Sequence, residues 1–337
     1  NFAWITAGGD SRCASTTDMG VASVLITPGR QYILTSSIEI DRVRAETLAH
    51  IAPADVFEFV EYPWHHGQDG MLGEIPGKLG ADFSCTAAQG RFYDVTALRM
   101  PFTPWEADRY PGIGRGVSDA VERVCFRIEP GMAERTIAGM TAAELIQDGF
   151  TPTVVLVGAD DRVRLWRHPT PTGNTLAHYC MIVVCAHQGG LIAAVTRSVH
   201  FGRPPQEISS AHEAAARVHA AMIMATKVGV GYQDVIDRGC VQYEAEGYGG
   251  EWRYHHQGGP IGYQDREFLV VPGAKQGRIA NRQAIAWNPS VPGAKSEDTM
   301  LLIEDGFQIV TGASAEWPMI DVEADGALVQ RPAILVR

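Results

Sequence analysis

Ile182-Val-Val-Cys-Ala-His-Gln-Gly-Gly190-Leu-Ile-Ala-Ala-Val-Thr196-Arg197 is the stretch from which the fold is read. Its first half is a strand in which Val183, Cys185 and His187 share one face, because side chains alternate along an extended chain. The stretch lies in the β-rich sequence that follows the first unit of a faint internal repeat. That unit runs Val121 to Arg127, Pro130-Gly131, a helix, then Gly149-Phe150. A second unit runs His219 to Ala225, Val228-Gly229, a helix, then Gly247-Tyr248. In both, the closing glycine comes 18 residues after the turn glycine. Two such helix pairs, each followed by strands, lay helices on the outside of a curved antiparallel sheet. The expectation is an α/β (α+β) fold.

Upstream, residues 1 to about 95 alternate strand-like and helix-like stretches. Val21 to Thr27 is a β-branched run ended by Pro28-Gly29, and Gln31-Tyr-Ile-Leu-Thr follows at hairpin distance. From Ile38 to Ile51, apolar Ile40, Val43, Leu48 and Ile51 recur at helical spacing among charges. Trp4, Tyr62 and Trp64 are expected in the core of this small domain. The pattern breaks at Leu98-Arg-Met-Pro-Phe-Thr-Pro, where Thr103 and Glu106 have the spacing of a capping box and Pro104 suits a first helical turn. The predicted domains are therefore 1–100 and 101–337.

Composition narrows the partners. At 337 residues the chain exceeds the size at which a single core usually stops growing, and 45% hydrophobic with 20% charged residues is ordinary for a globular protein. Lys and Arg number 28 against 39 Asp and Glu, a formal charge of −11, which argues against nucleic acid or an anionic membrane as partner. Six scattered cysteines without a CxxC pair point to reduced thiols and a cytoplasmic address. No apolar run approaches the roughly 20 residues that span a bilayer. Asn1-Phe-Ala-Trp has neither an initiator Met nor the regions of a signal peptide, so a start inside a longer gene product is expected.

Three ordered blocks carry a resemblance over most of the chain. The opening stretch keeps Gly190, Thr196 and Arg197. Next comes Gly258-Gly259-Pro260-Ile261-Gly262-Tyr263-Gln264-Asp265-Arg266-Glu267. Last come Trp287-Asn288-Pro289, Glu297-Asp298-Thr299 and Glu304-Asp305-Gly306. In this order and spacing the chain resembles the creatinase/aminopeptidase P (M24, pita-bread) family. The resemblance implies a small creatinase-like domain ahead of a pita-bread catalytic domain, and a homodimer in which the partner's first domain closes the pocket.

In that family's peptidases, two divalent cations are held by two Asp, one His and two Glu. The matching positions here are Val183, Ala194, Gly259, Asn288 and Glu297. Four of the five have lost their donor or their charge, and one carboxylate with an amide cannot neutralise two such ions. No metal and no other cofactor is expected. Creatinase, in the same family, cleaves a C–N bond without metal through a histidine, and the matching position is His168 in Trp166-Arg167-His168-Pro169. An imidazole of ordinary pKa can take a proton from water and return it to a leaving nitrogen.

His255 falls four residues before Gly259, where relatives carry a histidine that handles substrate protons. Neighbouring residues on a strand point opposite ways, so one of His255 and His256 is expected to face the cavity. Glycine at position 259 is expected to leave space for substrate atoms, with Asn288 beside it. Tyr263, Arg266 and Glu267 are expected to form a polar wall, Glu297 and Glu267 to orient substrate and water, and Arg197 or Arg266 to meet a carboxylate. A Cys185–His187 nucleophile lacks a third, orienting group.

The leading expectation is a metal-independent hydrolase of a C–N bond (amide, amidine or urea-like) in a small polar molecule. A lyase on the same fold, a non-catalytic peptide- or protein-binding module, and an Xaa-Pro aminopeptidase-type metallopeptidase are the alternatives.

Overall fold

The computed structural model describes all residues except 15, 16, 18, 52–54, 76 and 305. The chain divides into two compact units, Asn1–Arg99 and Met100–Arg337. In the first, Ala22–Ile26 pairs antiparallel with Gln31–Ser36, and Glu58–Tyr62 adds in parallel on the other side. Ala22, Ile33, Val43, Leu48 and Phe57 form its main core. The helix expected over Ile38–Ile51 is shorter, an α-turn at Ile40–Arg42 that widens into a π-turn at Val43–Thr47. Val43 and Leu48 still reach the core from it. Trp64, expected inside, is 63% exposed, because it follows the last strand in a turn. Trp4 and Tyr62 are half-buried.

The second unit opens with the helix Pro104–Cys125. Thr103 accepts from the Glu106 amide at 3.3 Å while Glu106 Oε2 accepts from the Thr103 amide at 2.7 Å, which satisfies two amides that a helix start leaves open. The helix pairs are Pro104–Cys125 with Glu134–Gln147, and Gln206–Ala225 with Tyr232–Ala245. Gly131, Gly149, Gly229 and Gly247 all have φ between +78° and +92°, the left-handed turn that ends a helix. The repeat read from the sequence is thus a repeat of backbone conformation.

Under the helices lie two four-stranded sheets. One runs, in spatial order, Leu335–Val336, Leu191–His200, Tyr179–Gln188, Thr151–Ala159. The other runs Gly306–Ile309, Asp298–Ile303, Ala284–Trp287, Gly258–Ile261. The stretch from Ile182 to Arg197 is a hairpin turning at Gly189-Gly190. Its second strand meets the other sheet through Thr299, whose Oγ1 accepts from Ala194 N and donates to Ala194 O, both at 2.9 Å. The expected curved sheet is therefore two leaves joined by these side-chain bonds and by backbone bonds from Thr196 N to Glu297 O and from Ile192 N to Gly262 O. Two main apolar clusters fill the unit: one around Val117, Ile182 and Val195 also takes in Ile261, Ala284 and Leu301 of the second leaf, and the other lies around Val218, Ile236 and Trp287. No helix among the described residues is long and apolar enough to cross a membrane.

Candidate active site

Trp287 pairs with both Gly258 and Asp298, so the second leaf brings three sequence blocks side by side. The short helix Asp161–Leu165 ends at Trp166, and Pro169 packs near Gly158, which leaves Arg167 and His168 on the loop between. The 3-10 turn Glu251–Tyr254 delivers His255 and His256. All three histidines line one cavity of about 440 Å³, together with Arg167, Trp252 and Val270. His168 Nε2 lies 3.0 Å from His255 Nε2. The His255 and His256 rings stack, with centroids 4.6 Å apart. The expectation that only one of the pair faces the cavity is corrected: they precede the strand, which begins at Gly258, so alternation does not govern them.

Burial first, then the charge of Lys295, holds the His168 pKa below its ordinary value; Glu297 pulls it up, and Arg266 adds a smaller push down. His255 is more enclosed and its pKa is pushed further down, by burial first and then by Lys295. The same causes, with Arg266 ahead of Lys295, bring His256 down to about 4. All three imidazoles are neutral at pH 7. The nitrogens of the trio also lie within 4.8 Å of one another, a spacing open to a single metal ion.

Glu297 is 2% exposed and fully engaged. Oε1 accepts from Arg266 at 2.8 Å, Oε2 accepts from Thr196 Oγ1 at 2.6 Å, and Lys295 Nζ stands 3.4 Å away. Burial pulls its pKa up, but Lys295 and Arg266 outweigh that and hold it down at about 2. Of the other positions matching the family's ligands, Val183 and Ala194 offer no donor atom. Asn288 is buried with Oδ1 unpartnered.

Gly259 does not open the space expected of it. It sits at φ +157°, and a Cβ there would stand 2.5 Å from Phe268 O. The segment Glu267–Val270 fills that side, donating from Glu267 N to Pro260 O and from Val270 N to Gly258 O.

Three further expectations need correction. Arg197 is engaged by the scaffold: it is buried among Glu122, Asp298, Ser118 and the Thr311 carbonyl, at 2.7 to 3.1 Å. Tyr263 hydrogen-bonds Glu106 through its hydroxyl, and Glu267 accepts from the Tyr263 amide at 2.8 Å, so both tie the loop to the scaffold. Arg266, expected in a polar wall or on a substrate carboxylate, pairs with the carboxylate of Glu297. Burial pushes the Cys185 thiol up to about 12, which removes it as a nucleophile. Asp305, part of the last sequence block, lies outside the described residues.

Lys295 and Arg167 were missed as site residues. Both were visible as charges beside a candidate, Lys295 two residues before Glu297 and Arg167 next to His168.

Helix pairs outside two clasped, mainly antiparallel leaves, with a histidine-lined pocket in the loops beside the strand Gly258–Ile261, define a pita-bread protein. The chain belongs to metallopeptidase family M24, whose profile matches residues 113–310. An uncharacterized peptidase of Staphylococcus epidermidis is 25% identical over 144 residues, 41% of this chain and 37% of that protein. An Xaa-Pro dipeptidase of Lactobacillus helveticus is 25% identical over 240 residues, 68% of this chain and 64% of the enzyme. The chain thus spans 37% and 64% of the length of these two curated relatives. Among solved structures, the prolidase from Pyrococcus horikoshii OT3 matches with a TM-score of 0.76 at 15% identity, over 94% of this chain and 93% of that one. The N-terminal domain of the FACT complex subunit SPT16 from chickpea matches with a TM-score of 0.64 at 12% identity, over 87% and 84%. At these identities the structural likeness speaks for the fold alone.

Proposed function

We propose that the chain is a hydrolase of a C–N bond in a small polar molecule, working without the family's pair of metal ions, with His168 as general base and then acid. The observation that carries this reading is the contact between His168 Nε2 and His255 Nε2 at the wall of the cavity. His255 is the more deeply buried and stays neutral, so it serves as the acceptor. His168 then donates through Nε2 and keeps Nδ1 free to take a proton from water. The imidazolium formed is held by that same contact until it returns the proton to the leaving nitrogen. His256 stacks on His255 and holds its ring in place.

The donor set supports the absence of a metal pair. Two of the five positions have no donor, Gly259 has backbone on its open side, and Glu297 is already paired with two cations. Family M24 supplies the C–N chemistry, and the Xaa-Pro dipeptidase among the relatives makes an amide the first substrate to try. The test is a panel of amides, amidines and ureas in labelled water. Solvent oxygen in the product supports hydrolysis, whereas an alkene product would move the chain to the lyases. A homodimer belongs to this reading and is checked by sedimentation.

One observation favours a second reading, that His168, His255 and His256 would hold a single ion, which would supply an activated water for hydrolysis. Lys295 and Arg266 oppose it, since their positive charge acts on the same imidazoles and would repel a cation held there. Elemental analysis after loading with zinc or manganese decides: a stoichiometric, chelator-sensitive ion would replace the base mechanism.

A further inference from the structure

One element of the second unit takes no part in the site described above. Met319–Ala324 and Ala327–Pro332 form a two-stranded ribbon outside both leaves. It packs on the helix Gln206–Ala225, where Val322 and Ala324 meet Ala216 and Ala220. Alanines bury little apolar area, so this contact holds the ribbon weakly. A two-stranded ribbon that leaves its support is marginal in water and loses its own ladder.

Two histidines on the same helix face add to the hold. His212, Ala216, His219 and Ala220 follow one another at helical spacing. His212 Nε2 donates to Pro332 O at 3.0 Å, which leaves Nδ1 as a lone pair, buried and without a partner. His219 Nδ1 lies 2.9 Å from Ser296 Oγ and 3.1 Å from Arg331 Nη2. Arginine can only donate, so this Nδ1 carries no proton. Each imidazole is therefore neutral, and each holds a residue of the strand Ala327–Pro332.

A proton added to either ring is badly placed. On His219 it would face the Arg331 guanidinium, and on His212 it would find no acceptor. Nearby carboxylates are already engaged, Asp298 by Arg197 and Arg331, Glu297 by Arg266 and Lys295. Burial first, then Arg331 and Arg197, holds the His219 pKa well below its ordinary value. At His212 burial outweighs the pull of Pro332 O, and Arg331 adds to it against a smaller pull from Glu213.

We infer that the ribbon is an acid-sensitive strap: neutral His212 and His219 latch it to the helix, and their protonation releases it before the leaves unfold. In the released state both imidazoles meet water and regain an ordinary pKa near 6.5, so opening grows as pH falls through that value. Pro332 and Ala333 also wall the small space beside Lys295 and Glu297. Release admits water next to two charges that act on His168. The strap is independent of the hydrolase reading.

The test is hydrogen–deuterium exchange of the full chain at pH 7 and pH 5.5, read by mass spectrometry and corrected for intrinsic rates. Peptides from Met319–Pro332 report the strap, and Leu191–His200 reports the leaf. Strap opening is expected to rise by more than about tenfold, and by up to about seventyfold, while the leaf lags behind it. Each histidine contributes up to about eightfold of this. His212→Gln keeps a donor toward Pro332 O, and His219→Asn keeps an acceptor for Arg331, but neither takes up a proton. Either change alone is expected to cap the rise near about eightfold, and the two together to abolish it. Opening that ignores pH, that rises equally in the double variant, or that matches the leaf at both pH values would overturn the assignment. If a variant does not fold, ribbon against leaf in the wild type still decides.

Discussion

His168 and His255 are the same side chain in different surroundings, one exposed at the cavity wall and one enclosed behind it. Water reaches His168, so it exchanges protons. His168→Ala is expected to lower turnover on an accepted substrate by on the order of a hundredfold or more, with folding intact by circular dichroism. Because the free base is the active form and its pKa is lowered, kcat/KM should rise with pH and level off below the ordinary histidine value of 6.5. A profile still rising above pH 7 would contradict the assignment. The same histidines shape stability. Where the folded pKa is depressed, the unfolded chain takes up the proton first as pH falls through 6.5, so stability is lost on acidification. For His256 the window runs from 6.5 down to about 4, and a thermal midpoint unchanged between pH 7 and pH 5 would argue against it. His168, His255 and Glu297 were legible as candidates because their chemistry and position coincide. The roles of Arg197 and Tyr263 were not, because a polar residue's type does not say whether its partners are substrate or scaffold.

At the scale of elements, helix ends and glycine turns were read correctly because their chemistry is local. The Thr103–Glu106 box is one such case, and Thr103→Ala is expected to lose about 1 kcal/mol in urea denaturation. Arg197 ties the helix Pro104–Cys125 to the strand that begins at Asp298. Arg197→Met leaves Glu122 without its cation and Asp298 with Arg331 alone, and is expected to cost roughly 3–5 kcal/mol in the same measurement. If Arg197 instead met substrate, the loss would appear in KM with stability unchanged. Gly259 was misread because the sequence shows a missing side chain but not what fills its place. Strand alternation failed at His255 and His256 for a related reason: the rule holds inside a strand, and they stand just before one.

For the whole molecule, the pita-bread architecture was legible from the two spaced helix pairs, while the division of the sheet into two leaves was not. That division depends on Thr299 and Ala194, residues 105 apart in the chain. Each unit contains its own apolar clusters. Met100–Arg337 expressed alone is expected to unfold in one cooperative transition by calorimetry. A broad, gradual melt would show that it needs residues 1–99.

The backbone packed over Gly259 also has a bearing on metal binding. A histidine at that position requires Phe268–Val270 to withdraw, and withdrawal of that segment beside a glycine adds no ligand. Gly259→His by itself should cost about 1–3 kcal/mol through overpacking, seen as a lowered thermal midpoint. Neither change alone creates a ligand, so position 259 can hold an ion only if side chain and segment change together.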